Sequence, residues 1–136
     1  MNKLNRYPMA PEFETSTWIN TSKALTLAQL KGKVVVLHAF QMLCPGCVSH
    51  GLPQAKAIHE MFSNDDVQVI GLHTVFEHHK VMTVEALQAF VSEYRLSFPI
   101  AMDLPDDVGP IPKTMGKYSM QGTPTLIIID RQGAIR

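Results

Sequence analysis

Val34-Val35-Val36-Leu37-His38-Ala39-Phe40-Gln41-Met42-Leu43-Cys44-Pro45-Gly46-Cys47 begins as an almost unbroken β-branched apolar run and ends in two cysteines separated by a dipeptide. A run without polar alternation is what a strand covered on both faces of a parallel sheet requires. Beyond Pro45, the apolar residues Val48, Leu52, Ala55, Ile58, Met61 and Phe62 recur at spacings of three and four, which places them on one stripe of a helix. The stretch therefore reads as strand, turn and helix, with the cysteines at the turn. Pro53 falls inside the predicted helix and should kink it, because the ring lacks an N–H and clashes with the preceding turn. Asn64-Asp65-Asp66 ends it.

On the N-terminal side, Lys31-Gly32-Lys33 punctuates the chain, and Phe13 to Asn20 alternates weakly, with Trp18 and Ile19 as anchors of an expected edge strand. Residues 1–11 are polar, carry Pro8 and Pro11, and read as a flexible arm. On the C-terminal side, Val67 to Thr74 is a second apolar strand. Thr83 then caps a helix whose Val84, Leu87, Phe90, Val91 and Tyr94 share one face. Phe98 to Ala101 is a short strand candidate, Asp103 to Pro112 an irregular loop and Lys113 to Tyr118 a short helix. Gly122-Thr123-Pro124 breaks the chain before the β-prone Thr125 to Ile129, and Asp130 to Gly133 reads as a hairpin turn. This alternation, without internal repeats, makes residues 12–136 one α/β domain.

Composition narrows the function classes. Twelve Lys and Arg balance twelve Asp and Glu, so the field that steers proteins onto phosphate backbones or anionic membranes is missing and neither nucleic acid nor a membrane surface is an expected partner. The N-terminus lacks the apolar run of about 7–15 residues of a secretory signal, and no apolar stretch approaches the roughly 20 residues needed to cross a bilayer. If the chain is whole, these features place it in the cytoplasm; removal of a leader would make it an exported protein. In a reducing compartment two cysteines are expected to be catalytic or metal-binding rather than a structural staple.

Cys44-Pro45-Gly46-Cys47 stands directly after the strongest strand and at the start of a helix. Unpaired backbone N–H groups and the positive end of the helix dipole stabilise a thiolate there. Cys44 is thus the expected nucleophile. Cys47, about one helical turn deeper, is placed to attack a mixed disulfide at Cys44 and act as the resolving thiol. Two alternatives compete with this redox reading. The cysteines could simply fill core space, or Cys44, Cys47 and His50 could bind zinc with His73, His78 or His79, although no second CxxC is present. The histidines after the second strand read better as an exposed loop than as a metal site, and no cofactor or metal is expected.

The Trp18-Ile19-Asn20 segment, Leu30-Lys31-Gly32-Lys33, Cys44-Pro45-Gly46-Cys47 and Gly122-Thr123-Pro124-Thr125 together resemble the thioredoxin superfamily, and within it the TlpA-like and redoxin (AhpC/TSA) branch, over residues 12–136. The resemblance implies a thioredoxin-like fold, a central mixed sheet flanked by helices. It also implies that Pro124 is a cis-proline facing the cysteines, with Thr123, Pro45 and Gly46 lining the substrate's path. Relatives continue into a final strand and helix, whereas only Ala134 to Arg136 follow the turn here. The domain is therefore expected to be C-terminally truncated, with an apolar sheet face that a homo-oligomer would cover.

Several residues depart from the family pattern. Leu43 stands where Trp is common, one extra residue separates Cys47 from Pro53, and His38 occupies the place of a buried Asp or Asn. On a strand His38 is expected to point toward Cys47 and serve as its proton acceptor, given an ordinary pKa near 6.5. The function this implies is thiol-disulfide exchange with a disulfide-bearing protein or small thiol, reset by an external thiol reductant or oxidant. The alternatives are an antioxidant peroxidase, weakened because Gln41 replaces the usual Thr three residues ahead of the nucleophile, and a non-catalytic binding module.

Overall fold

A computed structural model describes residues 7–136. Its elements are β1 (Thr15–Ile19), β2 (Val34–Phe40), a π-helical turn (Cys47–Gly51) running into α1 (Leu52–Met61), β3 (Val67–His73), α2 (Val84–Glu93), β4 (Ile100–Asp103), α3 (Lys113–Lys117) and β5 (Thr125–Ile129). The strands form one sheet in the order β1-β4-β3-β2-β5. The pairs β2/β3 and β3/β4 are parallel, while β1/β4 and β2/β5 are antiparallel. This is the thioredoxin-like arrangement, a mixed sheet with flanking helices, that the sequence leads one to expect.

The strand alternation splits the core into two layers. Val36 and Phe40 of β2 and Val69 of β3 face the helices, where they pack with Leu52, Ala55, Leu87 and Val91. Val35 and Leu37 face the other way, with Leu27, Leu30, Ile70, Leu72 and Ile129. Both layers are made of side chains almost fully removed from water, each contributing about 1.5–3 kcal/mol of hydrophobic stabilisation. On β5, Ile127 and Ile129 join the second layer, whereas Leu126 and Ile128, in register with His38 and Val36, stay 40% and 37% exposed.

Three local expectations change. The first six residues lie outside those described, but residues 8–10 of the expected arm are bound to the C-terminal turn. Ala10 N–H donates to Gly133 O at 2.9 Å, Ile135 N–H to Pro8 O at 2.8 Å, and Met9 bridges Ala134. Tyr118 OH also donates to Pro11 O at 2.6 Å. Residues 8–11 are Pro-Met-Ala-Pro, and they are ordered through their backbone groups rather than their side chains. The short strand starts two residues later than expected, at Ile100, since Pro99 has no N–H to place in a ladder. Its end takes in Asp103, whose carboxylate accepts the Thr114 and Met115 amides at 2.8 and 3.0 Å and so anchors α3.

The third change concerns the helix after the cysteines. Instead of a kinked continuous α-helix, it opens with a π-helical turn in which Leu52 N–H donates to Cys47 O, and Pro53 sits in the first turn of α1. One added residue in a helix is accommodated by such a widened turn. The extra residue between Cys47 and Pro53 is therefore absorbed here, at the point where proline's missing N–H costs least.

The parallel strands β2, β3 and β4 all end at one edge of the sheet, and the segments leaving that edge carry Cys44, the histidine loop and the loop before α3. At the opposite edge, Asn20 holds a left-handed conformation (φ 66°) and its side chain donates to Leu96 O and Phe98 O at 2.8 and 3.0 Å. Asn20→Ala should lower stability by about 1–3 kcal/mol, through a strained backbone and two unpaired carbonyls. Urea denaturation would show it as a reduced midpoint at unchanged slope; an unchanged midpoint contradicts the role given to Asn20.

Candidate active site

β2 ends at Phe40, and a tight turn closed by Cys44 N–H to Gln41 O at 3.1 Å lifts Cys44 onto the start of the helix. Cys44 is partly exposed and Cys47 fully buried; both are reduced. The Cys47 amide donates to Cys44 Sγ at 3.3 Å, and the Cys44 thiol lies 3.6 Å from Thr123 O, to which it donates. Burial pushes the Cys44 thiol up. Hydrogen bonds at its sulfur, from the Cys47 thiol, the Thr123 side chain and the Cys47 and Gly46 amides, outweigh that and leave it below its ordinary value. For Cys47 the balance is opposite: burial, then the hydrogen bond its thiol gives to Cys44, push it up to about 11. Cys44 is thus the thiol that ionises more easily, while Cys47 keeps its proton.

The Thr123–Pro124 peptide bond is cis. Pro124 faces the first turns of the helix: a Cβ on Gly46 would lie 3.6 Å from its ring, and one on Gly51 3.2 Å from it. Cys44, Pro45, Gly46, Cys47, Thr123 and Pro124 are therefore brought together as the sequence suggests.

His38 is placed differently. It is 2% exposed, its ring stacks parallel to Phe40 at 6.0 Å, and its Cε1–Nε2 edge abuts Gly51, which Pro124 also approaches. It makes no hydrogen bond to either sulfur, and Nε2 has no partner. Burial lowers its pKa to about 4, so the value near 6.5 on which its expected role was based does not hold. The ring is neutral throughout the physiological range.

The histidines offered to zinc also separate. His73 is fully buried, with both ring nitrogens engaged at Met42 and Met102, whereas His50, His78 and His79 are exposed. Gln41, the residue that disfavours a peroxidase, is 2% exposed and its side-chain oxygen accepts the Phe76 amide at 3.2 Å. Sequence reasoning missed Gly51 and the engagement of His73. The altered Cys47–Pro53 spacing was the available signal for the first; the second depends on strand register, which no local motif reports.

The profile of the AhpC/TSA family matches residues 8–136. The chain belongs to the AhpC/TSA family. Among solved structures, a thioredoxin-like superfamily protein is 53% identical, with a TM-score of 0.93 over 95% of this chain and 83% of its own. A thiol-disulfide isomerase from Corynebacterium glutamicum is 52% identical, with a TM-score of 0.92 over 97% and 84%. Among curated proteins, the thiol-disulfide oxidoreductase ResA of Bacillus cereus is 29% identical over 113 residues, 83% of this chain and 58% of ResA. NHL repeat-containing protein 2 of Bos taurus is 29% identical over 129 residues, 92% of this chain but 16% of that protein. The chain thus spans between about a sixth and just over half of these two curated relatives.

The contacts around Gly51 generate a prediction. A Cβ there would lie 2.5 Å from His38 Cε1 and 2.8 Å from Nε2, closer than packed atoms tolerate. Gly51→Ala should therefore cost about 1–3 kcal/mol of overpacking strain, read as a lowered thermal midpoint. A midpoint equal to that of the parent protein contradicts the close approach of helix, histidine and proline.

Proposed function

We propose that the protein is a thiol-disulfide oxidoreductase whose redox centre is the Cys44–Cys47 pair. The observation that carries this reading is the opposite bias of the two thiols, Cys44 below its ordinary range and Cys47 near 11, at sulfurs linked through the Cys47 amide. The solved thiol-disulfide isomerase at 52% identity and the ResA relative support the same chemistry.

In the proposed reaction the Cys44 thiolate attacks one sulfur of a substrate disulfide. A Cys44–substrate disulfide forms, the substrate's own S–S bond breaks, and the departing thiolate takes a proton from solvent. Cys47 then loses its proton and attacks Cys44 Sγ. This forms the Cys44–Cys47 disulfide and frees the second substrate thiol. Two electrons pass from protein to substrate, and an external dithiol returns the pair to the reduced state; with an oxidant in its place the sequence runs in reverse. The substrate is a disulfide-bearing protein or small thiol, its backbone running along Thr123 and Pro124, beside Pro45 and Gly46. A cytoplasmic site of action, suited to the reduced pair, is part of this proposal.

His38 is not a base poised at neutral pH. With a pKa of about 4 it cannot hold the Cys47 proton at rest. Its Nε2 makes no hydrogen bond to either sulfur, so the Cys47 proton passes to the departing substrate thiolate as the Cys47 sulfur bonds to Cys44. Disulfide exchange is preferred to peroxidase chemistry because the Gln41 side chain is committed to Phe76 and offers no hydroxyl beside Cys44.

Two experiments test this reading. Cys47→Ser should halt the reaction after the first step and accumulate a mixed disulfide at Cys44, visible by mass spectrometry with a disulfide-bearing protein such as insulin, whereas Cys44→Ser should abolish its reduction. Reduction surviving in Cys44→Ser contradicts the assignment. For His38, the resolution step in His38→Ala should keep the parent's dependence on pH; a changed profile would make His38 the acceptor of the Cys47 proton.

A further inference from the structure

The turn that carries Cys44 is held by a residue thirty-one positions away from Met42 in the chain. His73, the last residue of β3, stands beside Phe40 in the parallel β2/β3 register. The ladder continues one step further, with Thr74 N–H donating to Phe40 O at 3.1 Å. At this point β2 turns away, and the Met42 amide donates to His73 Nε2 at 3.2 Å instead of to a strand neighbour. The other ring nitrogen, Nδ1, is 3.2 Å from Met102 Sδ on β4. The ring is fully buried and leans on Phe40 at 5.2 Å between centroids.

These contacts define the chemical state of the ring. A neutral imidazole has one donor and one acceptor nitrogen. Because Met42 offers an N–H, Nε2 must be the bare acceptor; the proton therefore sits on Nδ1 and points at the thioether of Met102, a weak acceptor. Burial lowers the His73 pKa to about 4, so this single form is held across the physiological range. A second clamp comes from the same side, where Gln41 Oε1 accepts Phe76 N–H at 3.2 Å. The segment from the end of β3 to Phe76 thus grips the Gln41–Cys44 turn at two consecutive residues.

We propose that His73 is a positioning residue for Cys44, its Nε2 fixing the Met42 amide and thereby the turn that sets the nucleophilic sulfur against the Cys47 amide. The proposal rests on the redox reading given above, since it specifies how the nucleophile of that reaction is held. Its physical basis is the short range of the bonds that stabilise the thiolate. The Cys47 amide reaches Cys44 Sγ at 3.3 Å, and a slide of the turn lengthens that bond and weakens it steeply. Without the acceptor, the Met42 amide is also left buried and unpaired, which drives the turn to rearrange in search of a partner.

The test compares His73→Leu, His73→Asn and His73→Gln in the full chain, reading the Cys44 thiolate by its ultraviolet absorbance against pH and the rate of Cys44 alkylation at neutral pH. Glutamine carries an acceptor at about the reach of Nε2, whereas asparagine ends nearer the position of Nδ1. The Leu and Asn variants should raise the Cys44 pKa by about one unit and slow alkylation, by about tenfold where the pH lies below the Cys44 pKa. His73→Gln should restore both readouts to within about threefold of the parent, half a pKa unit. Should His73→Leu fail to fold, the Asn and Gln pair carries the same contrast. If Asn, Gln and the parent share one Cys44 pKa and one alkylation rate, His73 is a packing residue only and the proposal falls. A parent protein whose Cys44 titrates as an ordinary thiol overturns the redox reading instead, so the two failures are distinguishable.

Discussion

The bond from the Cys47 amide to the Cys44 sulfur is the contact around which the active end is organised. It exists because a buried strand stops at Phe40, a turn of a few residues follows, and at the helix start the Cys47 amide is shared between Cys44 O at 3.1 Å and Cys44 Sγ at 3.3 Å. A sulfur at that place accepts what the helix start offers. The same burial that removes Cys47 from water keeps its proton in place, so one short segment gives two chemically identical side chains opposite shifts in acidity. Their division of labour is a matter of depth, not of residue type.

Such a contact needs a rigid frame, and the sheet supplies it. Parallel strands β2, β3 and β4 end together, and the segment leaving β3 lies against the turn after β2. His73 and Phe76 grip that turn from one side, while His38, Gly51 and Pro124 pack beneath the other side of the helix start. The π-helical turn is part of this fit. Widening the helix by a residue sets Gly51 against the His38 ring, where any side chain would collide. His38 is thus matched by a glycine and a widened helix turn, a local solution that no single residue would explain.

Much of this was legible from the residues alone. Val34 to Phe40, Val67 to His73 and Thr125 to Ile129 are apolar runs whose burial could go only into a sheet, and the spacing from Val84 to Val91 could go only onto a helix face. The placement of Cys44-Pro45-Gly46-Cys47 followed from those elements. What escaped were contacts that depend on three-dimensional register. Residues 8–10 are Pro-Met-Ala, with no strand or helix pattern of their own, yet their backbone finds the C-terminal turn. His73 lies in an unremarkable strand and acquires its contact only when β2 ends beside it. The acidity of His38 depends on how completely Phe40, Gly51 and Pro124 shut out water, and that is a property of packing.

The difference between the two thiols is the claim on which the rest stands, and competitive labelling measures it directly. The fully reduced protein, treated at neutral pH with less than one equivalent of a thiol-specific alkylating reagent and digested for mass spectrometry, should carry nearly all of the label on Cys44. An equal division between Cys44 and Cys47, or a preference for Cys47, would contradict the account.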